Sequence, residues 1–150
     1  MTGRPPLPWL ATFTRRWHAN PDLCHTLDPV GWHSGRMGVL ALHLFGNSAS
    51  RELLVACLCH DLGESMTGDV AQPAKRDPEL KAALDRIEGK ALDDMGMTFA
   101  LNDLDRKRLK YLDRLDAYLW AYQNTPHVLD ANGWPEDAAW LHSAREELFP

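Results

Sequence analysis

The fold is decided by the longest apolar run of the 150-residue chain, Leu53-Leu54-Val55-Ala56-Cys57-Leu58-Cys59, which is followed directly by His60-Asp61. Ser50 and Glu52 precede the run, as is typical of a helix start. A helix that is apolar on most sides belongs at the centre of a bundle. The run is far too short to cross a bilayer, so it predicts a buried helix and not a membrane span.

Helical periodicity continues on both sides of this run, and no stretch alternates apolar β-branched residues with polar ones in the manner of a strand. The sequence therefore predicts an all-α bundle of five to six helices, formed by a single domain over residues 1–150. The predicted helices cover about residues 7–18, 32–45, 50–61, 79–95, 102–122 and 136–148.

The composition is that of an ordinary soluble globular protein, with 45% apolar and 25% charged residues. A formal net charge of −5 has the wrong sign for binding a nucleic-acid polymer. The three cysteines, Cys24, Cys57 and Cys59, form no C-x-x-C pair and indicate neither a disulfide framework nor a cysteine zinc site. No signal or membrane segment is evident, so we expect a cytoplasmic protein with no membrane partner.

The helix that precedes the apolar run carries a histidine on its inward face. His33, Met37, Leu40 and Leu44 recur at helical spacing along one stripe. An inward histidine needs a partner, because burying unpaired polar nitrogens is unfavourable. Gly35 and Gly38 weaken this helix and predict that another backbone or a ligand comes close. In the fifth predicted helix, the inward stripe comprises Leu112, Leu115, Leu119 and Tyr122.

His60-Asp61 on its own is a weak signal, since a histidine at a helix C-terminus is favoured by the helix dipole. His33 and Asp113 strengthen the signal, because Asp113 also lies in a mostly apolar helix. Two imidazoles and two carboxylates from three helices could share one divalent cation, which would resolve the burial of all four groups. Asp116, three residues further on, competes with Asp113 as the fourth ligand.

Ligands of nitrogen and oxygen without thiolate suit manganese, cobalt, zinc, iron or nickel, and the sequence does not choose among them. Such an ion lowers the pKa of bound water and polarises a phosphoryl oxygen, which favours phosphate-ester hydrolysis over redox chemistry. A long loop from Gly63 to Asp77 follows His60-Asp61, and loops of this length in compact domains are usually functional.

His33, His60-Asp61 and Asp113 together resemble the pattern of the HD-domain metal-dependent phosphohydrolases. The run from His60 to Lys75, H-D-x-x-E-x-x-T-G-D-x-x-x-P-x-K, is similar to the 5′-deoxynucleotidase branch, which includes the phage dATP triphosphohydrolases. Arg16-Trp17 resembles the pair that begins the substrate pocket of that branch, although Arg15-Arg16 admits a register one residue off. The similarity spans about residues 16–119.

The resemblance implies an HD-domain helical bundle and a role for each matching residue. His33, His60, Asp61 and Asp113 would hold one metal ion. Glu64 and Asp69 would be catalytic, Glu64 by exchanging protons with water and the leaving oxygen. Arg16, Trp17 and Lys75 would bind the substrate.

The expected function is hydrolysis of deoxynucleoside 5′-phosphates at the α-phosphorus, with a preference for a phage-type dATP or dNTP triphosphohydrolase. The alternatives are a 5′-deoxynucleotidase that acts on dNMPs and a non-catalytic nucleotide-binding HD module. A purely structural bundle, which predicts no metal, is a third. The resemblance also implies a homo-oligomer. His18, His25, His127 and His142 are expected at the surface, and His43 is expected at the edge of the core.

Overall fold

A computed structural model describes residues 7–149 of the chain, and this part is all-helical, which confirms the predicted fold class. An isolated bridge between Arg15 and Pro29 is its only extended pairing. No helix in this described part has the length and apolar character needed to span a membrane. The helices are α1 (Leu7–Ala11), α2 (Val30–Phe45), α3 (Arg51–Cys59), α4 (Glu64–Thr67), α5 (Gln72–Lys75), α6 (Pro78–Met95), α7 (Asp103–Asn124) and α8 (Trp134–Leu148), with two 3-10 turns at Gly46–Ser48 and Pro126–Val128.

Five of these helices have at least nine residues, and they correspond to the last five of the six predicted helices. The remaining three have four or five residues each. By its internal contacts the chain divides into two compact units, one of residues 7–35 with Leu58–Phe99 and one of Arg36–Cys57 with 100–149. The single domain over residues 1–150 stays a prediction.

In the first unit, α6 has defined ends. The Asp77 side chain accepts hydrogen bonds from the backbone N–H groups of Glu79 and Leu80, both at 2.9 Å, and so caps the N-terminus. Gly96 ends the helix in the left-handed conformation, at φ 68°. The short helix α4 is fixed to α6 by the Thr67 hydroxyl, which donates to Glu88 Oε1 at 2.7 Å.

The second unit holds a hydrophobic core of buried side chains from three helices. Asp105, which is also buried, accepts a hydrogen bond from the Ser50 hydroxyl at 2.6 Å and joins the start of α7 to the start of α3. The core residues are Met37, Ala41 and Phe45 of α2, Leu53 and Cys57 of α3, and Leu112 of α7.

The first predicted helix, residues 7–18, is wrong beyond Ala11. The carbonyl groups of Thr12 and Thr14 accept hydrogen bonds from Gly31 and Val30, at 2.8 and 2.9 Å, and the Arg16 N–H donates to the Asp28 carbonyl at 3.2 Å. The backbone of residues 12–16 therefore pairs with residues 28–31. These long-range hydrogen bonds replace the helical ones, so tertiary context overrides local propensity.

Two smaller expectations hold only in part. Leu119 and Tyr122, predicted to face inward, are 42% and 61% exposed, so the buried stripe of α7 narrows toward its C-terminus. Among residues 7–149, no atom outside the local backbone lies within 4 Å of a Cβ placed on Gly35 or Gly38. No second backbone of this part of the chain therefore approaches there, and a ligand at these glycines stays a prediction. The loop predicted from Gly63 to Asp77 contains the two short helices α4 and α5.

Candidate metal centre

The centre is built around the Asp61 carboxylate. His33 lies in the first turn of α2 and is fully buried, while His60 and Asp61 follow the last residue of α3. Asp61 Oδ2 is 3.2 Å from His33 Nε2, and Asp61 Oδ1 is 3.3 Å from His60 Nε2. The two imidazole rings lie 5.5 Å apart, centre to centre. Each oxygen of one carboxylate thus faces a different imidazole.

The four predicted metal ligands come together as a group. His33, His60, Asp61 and Asp113 each offer one ligand atom, and these atoms all lie within 4.8 Å of one another. Nitrogen and oxygen ligands stand about 2.0–2.2 Å from a zinc-sized ion, so two of them on opposite sides of it are roughly 4.3 Å apart. The group could therefore hold one metal ion after adjustments of a few tenths of an ångström.

Asp116, the alternative fourth ligand, has a different role. Its carboxylate is 2% exposed and accepts two hydrogen bonds from the Arg36 guanidinium, at 2.7 and 2.8 Å. The guanidinium carbon of Arg36 also lies 4.5 Å from the centre of the Trp120 ring. Sequence reasoning missed Arg36, although a second aspartate on the inner side of a helix is a signal that a cation must be nearby.

Glu64 is the first residue of α4 and is 6% exposed. Burial, followed by the negative charges of Asp61 and Asp69, raises the pKa of Glu64 to about 9. The ammonium group of Lys75, 3.8 Å from Glu64 Oε1, acts in the opposite direction. Glu64 Oε2 has no hydrogen-bond partner among the described residues. A buried carboxyl beside a cation and near the Asp61 carboxylate is suited to proton transfer.

The position of Glu64 is set by a close approach between Gly63 and α6. A Cβ on Gly63 would lie 2.7 Å from the Glu88 carbonyl oxygen and 2.9 Å from Glu88 Cα. Only glycine fits here without displacing the backbone of α6. Together with the hydrogen bond from Thr67 to Glu88, this contact fixes α4 at both ends.

Asp69, Arg16 and Trp17 belong to a second set of contacts in the same unit. The Trp17 backbone N–H donates to Asp69 Oδ2 at 2.6 Å. Arg16 is buried, and its Nη1 donates to Asp28 Oδ2 at 2.9 Å, while Trp17 Nε1 donates to the same oxygen at 3.0 Å. Asp28 was missed from the sequence, because it lies in an irregular stretch without periodicity.

The register of the arginine pair follows from these contacts. Arg15 is exposed, and its Nη2 donates to the carbonyl oxygens of Cys24 and Thr26 at 3.0 and 3.4 Å. Arg16, not Arg15, pairs with Asp28 next to Trp17. Arg15 therefore holds the loop that leads to α2.

The remaining histidines lie at the surface, as expected for four of them; His43, predicted at the edge of the core, is also exposed. This group comprises His18, His25, His43, His127 and His142. Among the described residues, the one group of ligand-forming side chains close enough to share a metal ion is that of His33, His60, Asp61 and Asp113.

Comparisons of the chain with models of protein families, with curated proteins and with solved structures find no match. The chemistry proposed for the site is therefore supported by the residues of this chain and not by a matching protein.

Proposed function

We propose that the protein is a metal-dependent hydrolase of deoxynucleoside 5′-phosphates that acts at the α-phosphorus. The single observation that carries this proposal is the contact of one carboxylate, Asp61, with two imidazoles beside a buried Glu64. Such a set of nitrogen and oxygen ligands next to a proton-exchanging carboxyl suits metal-assisted hydrolysis. The resemblance of the His60–Lys75 run to the HD-domain phosphohydrolases supports the same reaction class.

His33, His60, Asp61 and Asp113 would hold the ion, whose nature, Mn, Co, Zn, Fe or Ni, the ligand set leaves open. Bound there, it supplies Lewis-acid activation of water and of a phosphoryl oxygen. Glu64 accepts a proton as the oxygen of water attacks phosphorus. It returns a proton to the 5′-oxygen as the P–O5′ bond breaks. With a pKa of about 9 in the metal-free protein, Glu64 holds its proton at neutral pH. The positive charges of Lys75 and of a bound metal ion would favour the ionised state that the first step requires.

The substrate is bound by the arginine and tryptophan beside Asp28. Arg16 contributes positive charge for the phosphate, and Trp17 contributes an aromatic face for the base or sugar. The Asp69 carboxylate accepts a hydrogen bond from the Trp17 backbone N–H, and its negative charge contributes to the rise in the pKa of Glu64. In the proposed reaction Asp69 orients the phosphate, the attacking water or Glu64.

The preferred substrate is a triphosphate, dATP or another dNTP, with deoxynucleoside and triphosphate as products. Arg76 is exposed next to Lys75 and is available for phosphates beyond the α-position. Release of inorganic phosphate from dNMPs is the alternative outcome of the same chemistry. A non-catalytic nucleotide-binding module would bind metal and nucleotide without turnover.

The test is a screen of the purified protein with Mn²⁺ or Co²⁺ against all dNMPs and dNTPs, scoring phosphate and triphosphate separately. We expect turnover that Glu64→Gln and His60→Ala each reduce at least about 100-fold. Glu136→Gln, at an exposed position in α8, is the matched control and keeps wild-type activity. Absence of wild-type turnover, or full activity of Glu64→Gln, contradicts the proposal.

We also propose that the protein acts in the cytoplasm as a homo-oligomer. All three cysteines are free thiols, which agrees with a reducing compartment. Five apolar side chains of the second unit are 42–67% exposed and would be available for contacts between copies of the chain. They are Val39 and Leu42 of α2 and Leu104, Leu119 and Tyr122 of α7. Light scattering coupled to gel filtration measures the mass, and a mass of one chain at all concentrations excludes the oligomer.

A further inference from the structure

Asp28 is a fully buried carboxylate that no step of the proposed reaction uses. Its Oδ2 accepts two hydrogen bonds, from Arg16 Nη1 at 2.9 Å and from Trp17 Nε1 at 3.0 Å. A charge removed from water in this way is stable only when it is paired and hydrogen-bonded. The two donors belong to the adjacent residues that the proposed function assigns to substrate binding. One oxygen atom therefore fixes both side chains.

Backbone hydrogen bonds hold Asp28 next to Arg16 and Trp17. The Arg16 N–H donates to the Asp28 carbonyl at 3.2 Å, so residues 16 and 28 are joined through main chain and side chain alike. Arg15 adds hydrogen bonds to the carbonyls of Cys24 and Thr26. The loop between the two segments is thus held at several points, which limits the movement of the carboxylate.

Trp17 is held in an uncommon backbone conformation. Its φ of 68° lies in the left-handed region, which bulky residues rarely adopt. Its backbone N–H donates to Asp69 Oδ2 at 2.6 Å, while its indole N–H donates to Asp28. Strained residues of this kind persist where surrounding contacts determine them, and they cluster at functional sites. Two aspartates, one at each end of the residue, determine the orientation of Trp17.

We infer that Asp28 is a positioning residue of the nucleotide pocket, which sets the Arg16 guanidinium and the Trp17 ring in one arrangement before substrate binds. The inference rests on the proposed function for the identity of the substrate. Because the indole N–H donates to Asp28, Trp17 offers a nucleotide its ring and not a hydrogen bond. The guanidinium carbon of Arg16 lies 4.7 Å from the centre of that ring, so the carboxylate also holds the two groups against each other.

The test compares Asp28→Asn, Asp28→Glu and the control Asp130→Asn, an exposed aspartate of the second unit. Loss of a charge-assisted hydrogen bond corresponds to a change of about 10- to 100-fold in binding. We expect Asp28→Asn to raise KM for the best nucleotide by that factor while kcat stays within about threefold. Asp28→Glu keeps the charge and recovers part of the loss. An unchanged KM, or an equal fall in kcat and kcat/KM, overturns the inference.

A second measurement is independent of turnover. The indole N–H resonance of Trp17, assigned by its loss in Trp17→Phe, is expected to shift in Asp28→Asn and to stay in place in Asp130→Asn. If the wild-type protein hydrolyses no nucleotide, the proposed function is wrong, and this resonance alone decides whether Asp28 positions Trp17. An unmoved resonance then overturns the inference.

If Asp28→Asn does not fold by circular dichroism, Trp17→Phe replaces it in the kinetic test. This variant keeps an aromatic side chain, but it loses the indole N–H that donates to Asp28 together with the second ring of the indole. We expect it to raise KM about threefold to tenfold with kcat retained. Wild-type KM in a folded Trp17→Phe protein overturns the inference.

Discussion

Arg36 binds Asp116 through two parallel hydrogen bonds, Nε to Oδ1 at 2.7 Å and Nη2 to Oδ2 at 2.8 Å. This bidentate pair distinguishes two aspartates that lie three residues apart on α7. One is neutralised by an arginine, and the other belongs to the group of potential metal ligands.

The first prediction is that the two aspartates respond differently to substitution. Asp113→Ala is expected to abolish stoichiometric Mn²⁺ binding, measured by calorimetry and elemental analysis. Asp116→Ala is expected to keep the metal but to lower the free energy of unfolding by about 2–3 kcal/mol, because Arg36 loses the carboxylate that accepts two of its hydrogen bonds. That is below the value typical of fully buried pairs, since the Arg36 side chain is 31% exposed. Loss of metal in Asp116→Ala alone would reverse the assignment.

The second prediction concerns metal and thermal stability. A ligand that binds only the folded chain stabilises it by about 2.7 kcal/mol at one hundred times its Kd. For a chain of this size we expect Mn²⁺ to raise Tm by roughly 5–10 °C. His60→Ala removes this increase, whereas His142→Ala, whose side chain is 80% exposed, retains it. An equal increase in both variants would place the ion elsewhere.

The third prediction concerns the dependence of stability on pH. The pKa of Glu64 is about 9 in the folded protein, whereas an unperturbed glutamate has a pKa of 4.5, so the folded state holds the extra proton between these values. The free energy of unfolding therefore falls as pH rises through this range. Glu64→Gln abolishes this part of the slope and is more stable than wild type at pH 8, by on the order of 2–4 kcal/mol.

Urea unfolding at several pH values, with a chelator present, measures this difference. The matched control is Glu136→Gln, at an exposed position. Parallel pH profiles for wild type and Glu64→Gln would show that Glu64 is ionised in the folded protein.

The fourth prediction concerns Lys75 and the proposed reaction. Lys75 lowers the pKa of Glu64, so Lys75→Met is expected to raise that pKa and to move the acid limb of the kcat profile upward by roughly one pH unit. Lys81→Met is the control, because Lys81 pairs with Asp85 in a solvent-exposed position. An acid limb at the wild-type position would mean that Glu64 does not control it.

The fifth prediction compares two glycines. Gly63→Ala places a Cβ within 3 Å of the Glu88 backbone and is expected to destabilise the protein by about 1–3 kcal/mol. Gly89→Ala, inside α6 with no neighbour within 4 Å, is expected to stabilise it by about 0.5–1 kcal/mol. Chemical denaturation measures both, and equal effects of the two substitutions would exclude the close approach at Gly63.

The metal group could be predicted because its residues carry local signals. His33 shares a helical stripe with Met37, and both are fully buried, as the periodicity indicates. His60-Asp61 follows an apolar helix, and the end of that helix can be predicted because the helical spacing of apolar residues stops there. Asp113 and Asp116 could not be separated from the sequence, because the choice depends on Arg36, which is 80 positions away from Asp116.

The contacts of the proposed substrate-binding residues Arg16 and Trp17 were less accessible to sequence reasoning. The segment after Ala11 has helical spacing, yet its backbone pairs with residues 28–31 across a loop. No periodic pattern marks Asp28, so the partner of Arg16 and Trp17 emerges only from the three-dimensional arrangement. Long-range hydrogen bonds, and not propensity, determine this part of the fold.

The buried pair of Arg16 and Asp28 also has an evolutionary consequence. Replacing either residue alone leaves an uncompensated buried charge, which typically lowers the free energy of unfolding by about 3–5 kcal/mol. Replacing both with apolar side chains that fit is often neutral for stability, although it also removes the charge that the proposed function assigns to Arg16. During evolution, an apolar pair at these two positions is therefore reached more readily when both residues change together than through an intermediate with only one substitution. Among related chains, positions 16 and 28 are expected to covary, and a natural sequence with only one of the two charges is expected to carry a compensating neighbour.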